Sequence, residues 1–263
     1  MELWYYTGAC MGFVATAHAA EGISVKLSPY VVGHIGSLPI TATLLTTWLA
    51  MVILVLGAFV LQRRLQAVPG KGQSVAELVV GGAYTYVADT LESKDLARKY
   101  FPVLMTIFLF LLVMNWVGLL PGVTSIGYYD HEHLIPFLYP PATDLNIALA
   151  FALVAMFVIE FAGIAALGAL KYGGKFINFS SPLAFVVGLI ELISELGRLV
   201  SFSFRLFGNI FAGKTLLTVA IFFVPLLLPI PILFYELFVG FIQAGVFAFL
   251  TLIFIKLAVA EPH

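Results

Sequence analysis

The chain has 263 residues, of which 62% are hydrophobic and 10% are charged, and its formal net charge is −1. Soluble domains are about half apolar and about a quarter charged, so this composition excludes a soluble globular domain and predicts an integral membrane protein. The small net charge gives no indication of nucleic-acid binding. The single cysteine, Cys10, excludes an internal disulfide bond and a cysteine-based metal site.

The first 20 residues, MELWYYTGACMGFVATAHAA, contain an apolar stretch and a small-residue end, as a cleaved signal peptide does. Glu2 and the absence of lysine or arginine ahead of the apolar stretch are atypical of a signal peptide. The sequence therefore leaves two alternatives, namely that residues 1–20 are a cleaved signal peptide or that they are retained. Residues 1–42 are expected to be an N-terminal extracytoplasmic segment, of which residues 1–20 are the signal-like part.

Five apolar segments are each long enough to cross a bilayer as a helix. They cover residues 43–61, 101–120, 145–168, 184–221 and 232–258, in a single membrane domain of residues 43–263. Their length and continuity predict an all-α membrane fold, because barrel strands alternate over about ten residues. The mixed stretch 73–100 predicts either an amphipathic helix on the membrane surface or an ordinary soluble helix.

Positively charged residues are concentrated in two of the loops. They are Arg63, Arg64, Lys71, Lys94, Arg98 and Lys99 after the first span, and Lys171 and Lys175 after the third. The loop 122–144 has none, and the segment before the first span has only Lys26. By the positive-inside rule, the N-terminus lies outside and the C-terminus in the cytoplasm.

Prolines mark the ends of the predicted spans, because a proline in a helix interior removes a hydrogen bond. Pro121, Pro140, Pro141 and Pro182 flank spans, and VPLLLPIPIL at 224–233 predicts a bend between the last two. Asp144 precedes the third span, where it is either a helix N-cap or part of an ion path. Asn146 is grouped with it as a candidate for the same two roles.

The fourth apolar segment is too long for an upright span. About 38 helical residues extend about 57 Å, whereas the hydrocarbon core is about 30 Å thick. Strong tilt, or a kink at Gly208 or Gly213, would accommodate the excess length. With the fifth segment it predicts two antiparallel helices that lie obliquely across the membrane.

The polar residues of the last two segments form stripes. Five in the fourth segment fall on one helical face, namely Glu191, Glu195, Arg198, Arg205 and Asn209. Lys214 falls on the opposite face, and Glu236 and Gln243 share a face of the fifth segment. Ionisable groups at membrane depth usually face a protein interior or a water-filled cavity, so these stripes predict a route for ions.

Structural explanations compete with that prediction at several positions. Glu195 and Arg198 have the spacing of a helical salt bridge, and Lys214 and Glu236 could neutralise each other between helices. Glu160, alone in an apolar span, could stay protonated or belong to a channel.

Arg205 has no such explanation. Its guanidinium cannot deprotonate, and no acidic residue lies three or four positions away on either side. Its counter-charge must therefore come from another helix or from another chain.

The motifs SFRLFGNIFAG (203–213), MNWVGLLPG (114–122), PATDLNIALA (141–150) and FIQAGVFAFLTLIFI (241–255) resemble, in that order, subunit a of the F-type ATP synthase. The resemblance implies that Arg205 is the family's essential arginine. It also implies that Asn209 is the asparagine that follows this arginine and that Gln243 is the glutamine of the final helix near it. Lys214 and Glu236 occupy positions where bacterial members commonly have a glutamate and a histidine, so the acid and the base are exchanged. Glu236 is thus a candidate for the outside-facing half-channel.

The resemblance also implies an oblique helical hairpin against a rotating c-ring, with two offset half-channels for ions, most simply protons. The implied partners are c-ring proteolipid subunits, peripheral stalk subunit b, the catalytic sector through the stalks, and membrane lipids, but no nucleic acid. The chain would be a non-catalytic but essential ion-translocating subunit of a bacterial inner-membrane complex, with no cofactor.

Two other classes of function are alternatives to an ATP synthase subunit. A stand-alone secondary transporter or channel would also place charges near the midplane, but no convincing internal repeat is present. An intramembrane hydrolase is disfavoured because no HExxH motif occurs, and His131 and His133 have no evident third metal ligand. No phosphate-binding GxxxxGK[ST] loop is present either.

Overall fold

The computed structural model describes residues 29–36, 38–66, 69–120, 122–130, 133–174, 176, 182–225 and 227–260. The signal-like stretch 1–20 lies outside these residues. Helices dominate the fold, which confirms the predicted all-α membrane architecture. The helices are α1 (Ala42–Arg64), α2 (Lys71–Leu91), α3 (Lys94–Leu119), α4 (Leu145–Leu167), α5 (Ala169–Gly173), α6 (Pro182–Phe223) and α7 (Pro229–Val259).

Among the helices of the described residues, α1, α3, α4 and α7 are long and apolar enough to cross a membrane. The fourth predicted span corresponds to α6, which is outside that group and carries five ionisable side chains in 42 residues. α6 is one unbroken helix through Gly208 and Gly213. Its oblique course across a membrane stays a prediction.

Two short β-hairpins precede α1 and α4, and the sequence pattern predicts neither. The first pairs β1 (Val31–Ile35) with β2 (Leu38–Thr41), and the second pairs β3 (Gly127–Asp130) with β4 (His133–Pro136). A side chain at Gly127 would overlap the backbone of Ile135. Strands of four or five residues are too short to show a clear alternation of polar and apolar residues.

The stretch 73–100 is divided between two helices and does not form one. α2 ends before Glu92, which has a left-handed conformation with φ of 53°. α3 begins at Lys94, about two turns before the predicted span, so that Pro102 lies inside a helix. On α2, apolar side chains such as Leu78 are exposed, whereas Val87 and Leu91 are buried. The location of α2 on a membrane surface stays a prediction.

The chain forms two compact units, each built from three separate stretches. Unit 1 comprises the residues up to Ile53 with Phe110–Ala148 and Arg205–Gln243. Within it, buried Asn115 donates a side-chain hydrogen bond to the carbonyl of Gly240 at 3.2 Å. The indole of Trp116 donates to the carbonyl of Leu237 at 3.1 Å. These bonds fix the end of α3 against the first half of α7.

Unit 2 comprises Leu54–Leu109, Leu149–Phe204 and the residues from Ala244 onward. The fully buried ring of Phe202 packs on Phe247, with centroids 4.8 Å apart, and on Phe254 at 5.8 Å. Gly168, with φ of +83°, makes a turn after α4 that only glycine adopts readily. That turn starts α5, a short helix absent from the sequence prediction.

Candidate functional site

Arg205 is on α6 in unit 1, and its side chain is exposed. Within the part of the chain that the structure describes, its guanidinium has no hydrogen bond and no ion pair. The residues one turn away on the same helix are Ser201, Phe202, Gly208 and Asn209, none of which is acidic. Arg205 is therefore a permanent cation with no counter-charge among the described residues.

Asn209 and Gln243 are amide residues of α6 and α7 in the same unit. Asn209 Nδ2 and Gln243 Nε2 are both buried, and neither has a hydrogen-bond partner among the described residues. Buried amides in native proteins are nearly always bonded to protein or to water. These two donors are therefore groups that bound water would satisfy.

Glu236 lies on α7 and is only 3% exposed. Its carboxyl group occupies the space that a side chain on Gly213 of α6 would need. The glycine thus lets a carboxyl group reach the backbone of the neighbouring helix.

Lys214 does not pair with Glu236, so the mutual neutralisation considered from the sequence is wrong for this structure. The Lys214 ammonium lies over the ring of Tyr139, 4.6 Å from its centroid. In the described ranges, no carboxylate is within ion-pair distance of this ammonium. The reason is that Tyr139, in the segment between β4 and α4, supplies an aromatic face that the sequence pattern does not reveal.

A cavity of about 110 Å³ adjoins Lys214. Its polar lining comes from Lys214 and Thr218 of α6, Asn115 of α3, and Thr124. Asn115 is 4% exposed, and its Oδ1 has no hydrogen-bond partner in the described part of the chain. The cavity is therefore polar enough, and large enough, to hold water.

Asp144 is the N-cap of α4 in unit 1. Its Oδ1 accepts a hydrogen bond from the backbone N–H of Asn146 at 2.9 Å, and its Oδ2 accepts one from the hydroxyl of Thr43 at 3.2 Å. Asp144 is 5% exposed, whereas the side chain of Asn146 points to the exterior. This geometry favours the capping role over the ion path for Asp144.

Unit 2 contains a cluster of charges on α6. Arg198 forms a hydrogen-bonded ion pair with Glu195 and lies 3.6 Å from a carboxylate oxygen of Glu191. The ring of Phe254 on α7 covers the guanidinium, 4.8 Å from its centroid. The salt-bridge interpretation of Glu195 and Arg198 is therefore what the structure shows.

A second cavity, of about 190 Å³, lies between α4 and α6 in unit 2 and is lined by Glu160 and Glu195 among apolar residues. Tyr172 of α5 is 3% exposed, and its ring takes the space that a side chain at Gly163 would fill. Burial, and next the carboxylate of Glu160, raise the pKa of Tyr172 well above its ordinary value. Tyr172 therefore stays a neutral phenol beside these carboxyl groups.

The predicted site residues thus fall into two groups. Unit 1 holds Asp144, Asn146, Arg205, Asn209, Lys214, Glu236 and Gln243, and unit 2 holds Glu160, Glu191 and Glu195. The sequence prediction missed Tyr139, Tyr172 and Asn115. Asn115 was open to detection as a polar residue in an apolar span. Tyr139 lies in a loop and Tyr172 in the short helix α5, and neither has a distinctive spacing in the sequence.

Comparisons with known proteins identify relatives across most of the chain. A family model described as ATP synthase A chain matches residues 44–256. ATP synthase subunit a of Moorella thermoacetica is 32% identical over 227 residues, covering 86% of this chain and 94% of the relative. A subunit a of Geobacter sulfurreducens is 34% identical over 221 residues, covering 82% and 87% respectively. A third relative, subunit a 3 of Pelobacter propionicus, is 34% identical over 219 residues.

Proposed function

Because the chain belongs to the ATP synthase subunit a family and is a multi-pass membrane subunit of that complex, we propose that it is the stator through which ions reach and leave the rotating c-ring. The proposed direct partners are the c-ring proteolipids, the peripheral stalk subunit b and membrane lipids. The catalytic sector connects through the stalks. In this proposal the N-terminus lies outside and the C-terminus in the cytoplasm of a bacterial inner membrane.

The observation that carries the proposal is the exposed guanidinium of Arg205. A charge at bilayer depth costs at least about 2.5 kcal/mol on insertion scales, so such groups are normally paired or hydrated. Arg205 has no hydrogen-bond or ion-pair partner among the described residues. A carboxylate on a neighbouring chain would supply the missing counter-charge.

The chemistry of the exchange follows from electrostatics. A ring carboxyl group that faces lipid must be neutral, because an isolated charge there is too costly. When it comes opposite Arg205, the fixed positive charge favours the carboxylate, and the proton leaves to water. The same positive charge repels protons that would otherwise pass directly between the entry and exit routes.

The two groups of polar residues suit two half-channels. Lys214 and Glu236 in unit 1, with the amides of Asn209 and Gln243, would serve the outside-facing route. Glu191 and Glu195 lie toward the N-terminal end of α6, which is cytoplasmic in the proposed orientation, so they would serve the inner route. A cavity of about 190 Å³ adjoins Glu195 and Glu160, and the rest of its lining is apolar.

Energy coupling requires several ions for each ATP. A membrane potential supplies about 2.3 kcal/mol per elementary charge per 100 mV. One transfer is too small to drive ATP formation, and a rotating ring adds the contributions of successive transfers. This chain supplies the fixed charge that gives each transfer its direction.

The decisive test replaces Arg205 by alanine, and by lysine to retain charge with altered geometry, in the whole complex. We expect both variants to assemble but to lose ATP-driven proton pumping in membrane vesicles. Arg63→Ala, at an exposed arginine near the end of α1, is the matched control and should pump normally. Coupled pumping at the normal rate in Arg205→Ala would reject the proposal.

The role of Glu236 is tested separately with Glu236→Gln, which retains the side-chain volume. Pumping should slow because the amide cannot take up and release a proton, while assembly is unchanged. A normal rate in this variant would leave Glu236 with a packing role only.

A further inference from the structure

We propose that Tyr139 is a positioning residue that holds the Lys214 ammonium while Glu236 is neutral and releases it to Glu236 when that carboxyl group ionises. The inference rests on the proposed function, since it describes how Glu236 would load and unload protons. It also assigns a role to Tyr139, a residue outside the ion-path motifs.

The ring of Tyr139 is rigidly placed and remains uncharged. Its backbone N–H donates to the hydroxyl of Thr46 at 3.0 Å, and its ring packs edge-on against Tyr30 with centroids 5.2 Å apart. Burial, and next the neighbouring Tyr30, raise the pKa of Tyr139 to about 12. A neutral ring attracts the ammonium through its π face and does not bind it as tightly as a phenolate ion would.

The alternative partner of Lys214 lies beside the same turn of α6. Glu236 contacts Gly213, the residue directly before Lys214. Successive α-carbons are only about 3.8 Å apart, and lysine carries its charge on a flexible four-carbon stem. The ammonium can therefore reach either the ring or the carboxyl group by side-chain rotation, without movement of the helix.

Two other polar residues of unit 1, Asp144 and Asn115, form no ion pair with Lys214 in the structure. Asp144 is already engaged by Thr43 and by the first turn of α4. Asn115 is uncharged, and its free Oδ1 lines the same cavity as Lys214. An acceptor in this position can bind the ammonium, directly or through water, as it moves between its two sites.

The sequence of events needs no change in the charge of Lys214. When Glu236 releases its proton to water in the cavity, a buried carboxylate appears, and the ammonium moves to neutralise it. When Glu236 takes up the next proton, the attraction disappears and the ammonium returns to the ring. The Glu236 carboxylate is thus neutralised whenever it forms, and at the other stage the ring of Tyr139 holds the ammonium.

The test is a double-mutant cycle on the whole complex, read out as the pH dependence of ATP-driven pumping. In Tyr139→Leu the ammonium stays on Glu236 and holds it ionised, so the profile should move toward lower pH by about one unit. Tyr139→Phe keeps the π face and should behave as the unaltered protein does. Tyr128→Leu, at an exposed tyrosine of β3, is the control for loss of an aromatic residue in this region.

The second arm of the cycle removes the cation with Lys214→Met. Tyr139→Leu should have no further effect in that background, because the ring then has nothing to hold. An equal shift with and without Lys214, or no shift in Tyr139→Leu alone, would overturn the inference. Loss of pumping in Arg205→Ala together with either of these results would reject the positioning role and leave the proposed function intact.

Discussion

The carboxyl group of Glu236 lies against the α-carbon of Gly213, in space that a methyl group would otherwise occupy. At this contact, a buried carboxyl group of α7 packs against the backbone of α6, because Gly213 has no side chain. Glycine is therefore required at residue 213 for close approach, although its backbone conformation is ordinary helix.

Gly213→Ala should displace Glu236 and destabilise the helix pair by about 1–3 kcal/mol, the usual cost of overpacking. Pumping should fall together with thermal stability of the assembled complex. Gly197→Ala, where a methyl group on the same helix meets nothing, should be neutral or slightly stabilising. Equal behaviour of the two alanine variants would show that the Glu236 contact is not close.

The two roles considered for Asp144 are separated by a pair of substitutions. Asp144→Asn retains an oxygen that caps α4 and should preserve both stability and pumping. Asp144→Ala removes the cap and should reduce the free energy of unfolding by about 1 kcal/mol, measured by thermal denaturation. Loss of pumping in Asp144→Asn would instead assign its charge to the ion path.

The ion pair of Glu195 and Arg198 predicts strong coupling between the two residues. Arg198→Met leaves the buried Glu195 carboxylate without its main cation and should destabilise the complex by about 3 kcal/mol. Adding Glu195→Gln removes the charge that was left and should recover most of the loss. Additive effects of the two substitutions on the denaturation midpoint would contradict this account.

The exposed pair of Glu92 and Lys256 gives a pH-dependent prediction. Their side chains are 2.7 Å apart, and the hydrogen bond and charge of Lys256 hold the pKa of Glu92 below its ordinary value. A lowered pKa stabilises the folded state above the unfolded-state value of about 4.3, and this stabilisation is lost as the pH falls through the lowered pKa.

Glu92→Gln should therefore lower the denaturation midpoint slightly at pH 7, and the difference should shrink as the pH falls below about 4.3. High salt should reduce the difference, because exposed charges are screened. Asp89→Asn, at an exposed carboxylate near the end of α2, is the control for the loss of one surface charge. A constant difference across pH would exclude ionisation of Glu92 as its cause.

The helices of this protein are largely predictable because each apolar run is long, continuous and bounded by charges or prolines. Their ends are less predictable, as α3 shows. It extends back to Lys94 through polar sequence, and hydropathy marks only the apolar part of a helix. The hairpins and α5 were not predicted, because close backbone contacts at Gly127 and a left-handed turn at Gly168 define them.

The features of the candidate site were likewise predictable only in part. The isolation of Arg205 was predictable from the absence of acidic residues at helical spacing along its own helix. The partner of Lys214 was not, because Tyr139 is distant in sequence and belongs to a segment without periodic structure. Charge pairing inferred from two oppositely charged residues on adjacent helices therefore failed where an aromatic ring was available.

The exposure of Arg205 also bears on biogenesis. A copy of this subunit that enters the bilayer before the ring is in place carries a cation that nothing in its described residues neutralises. In the proposed complex, docking of the ring would remove that penalty, so the unassembled subunit would be less stable in the membrane than the assembled one. Under that proposal, the timing of insertion and the removal of orphan copies are linked to the same guanidinium that directs ion flow.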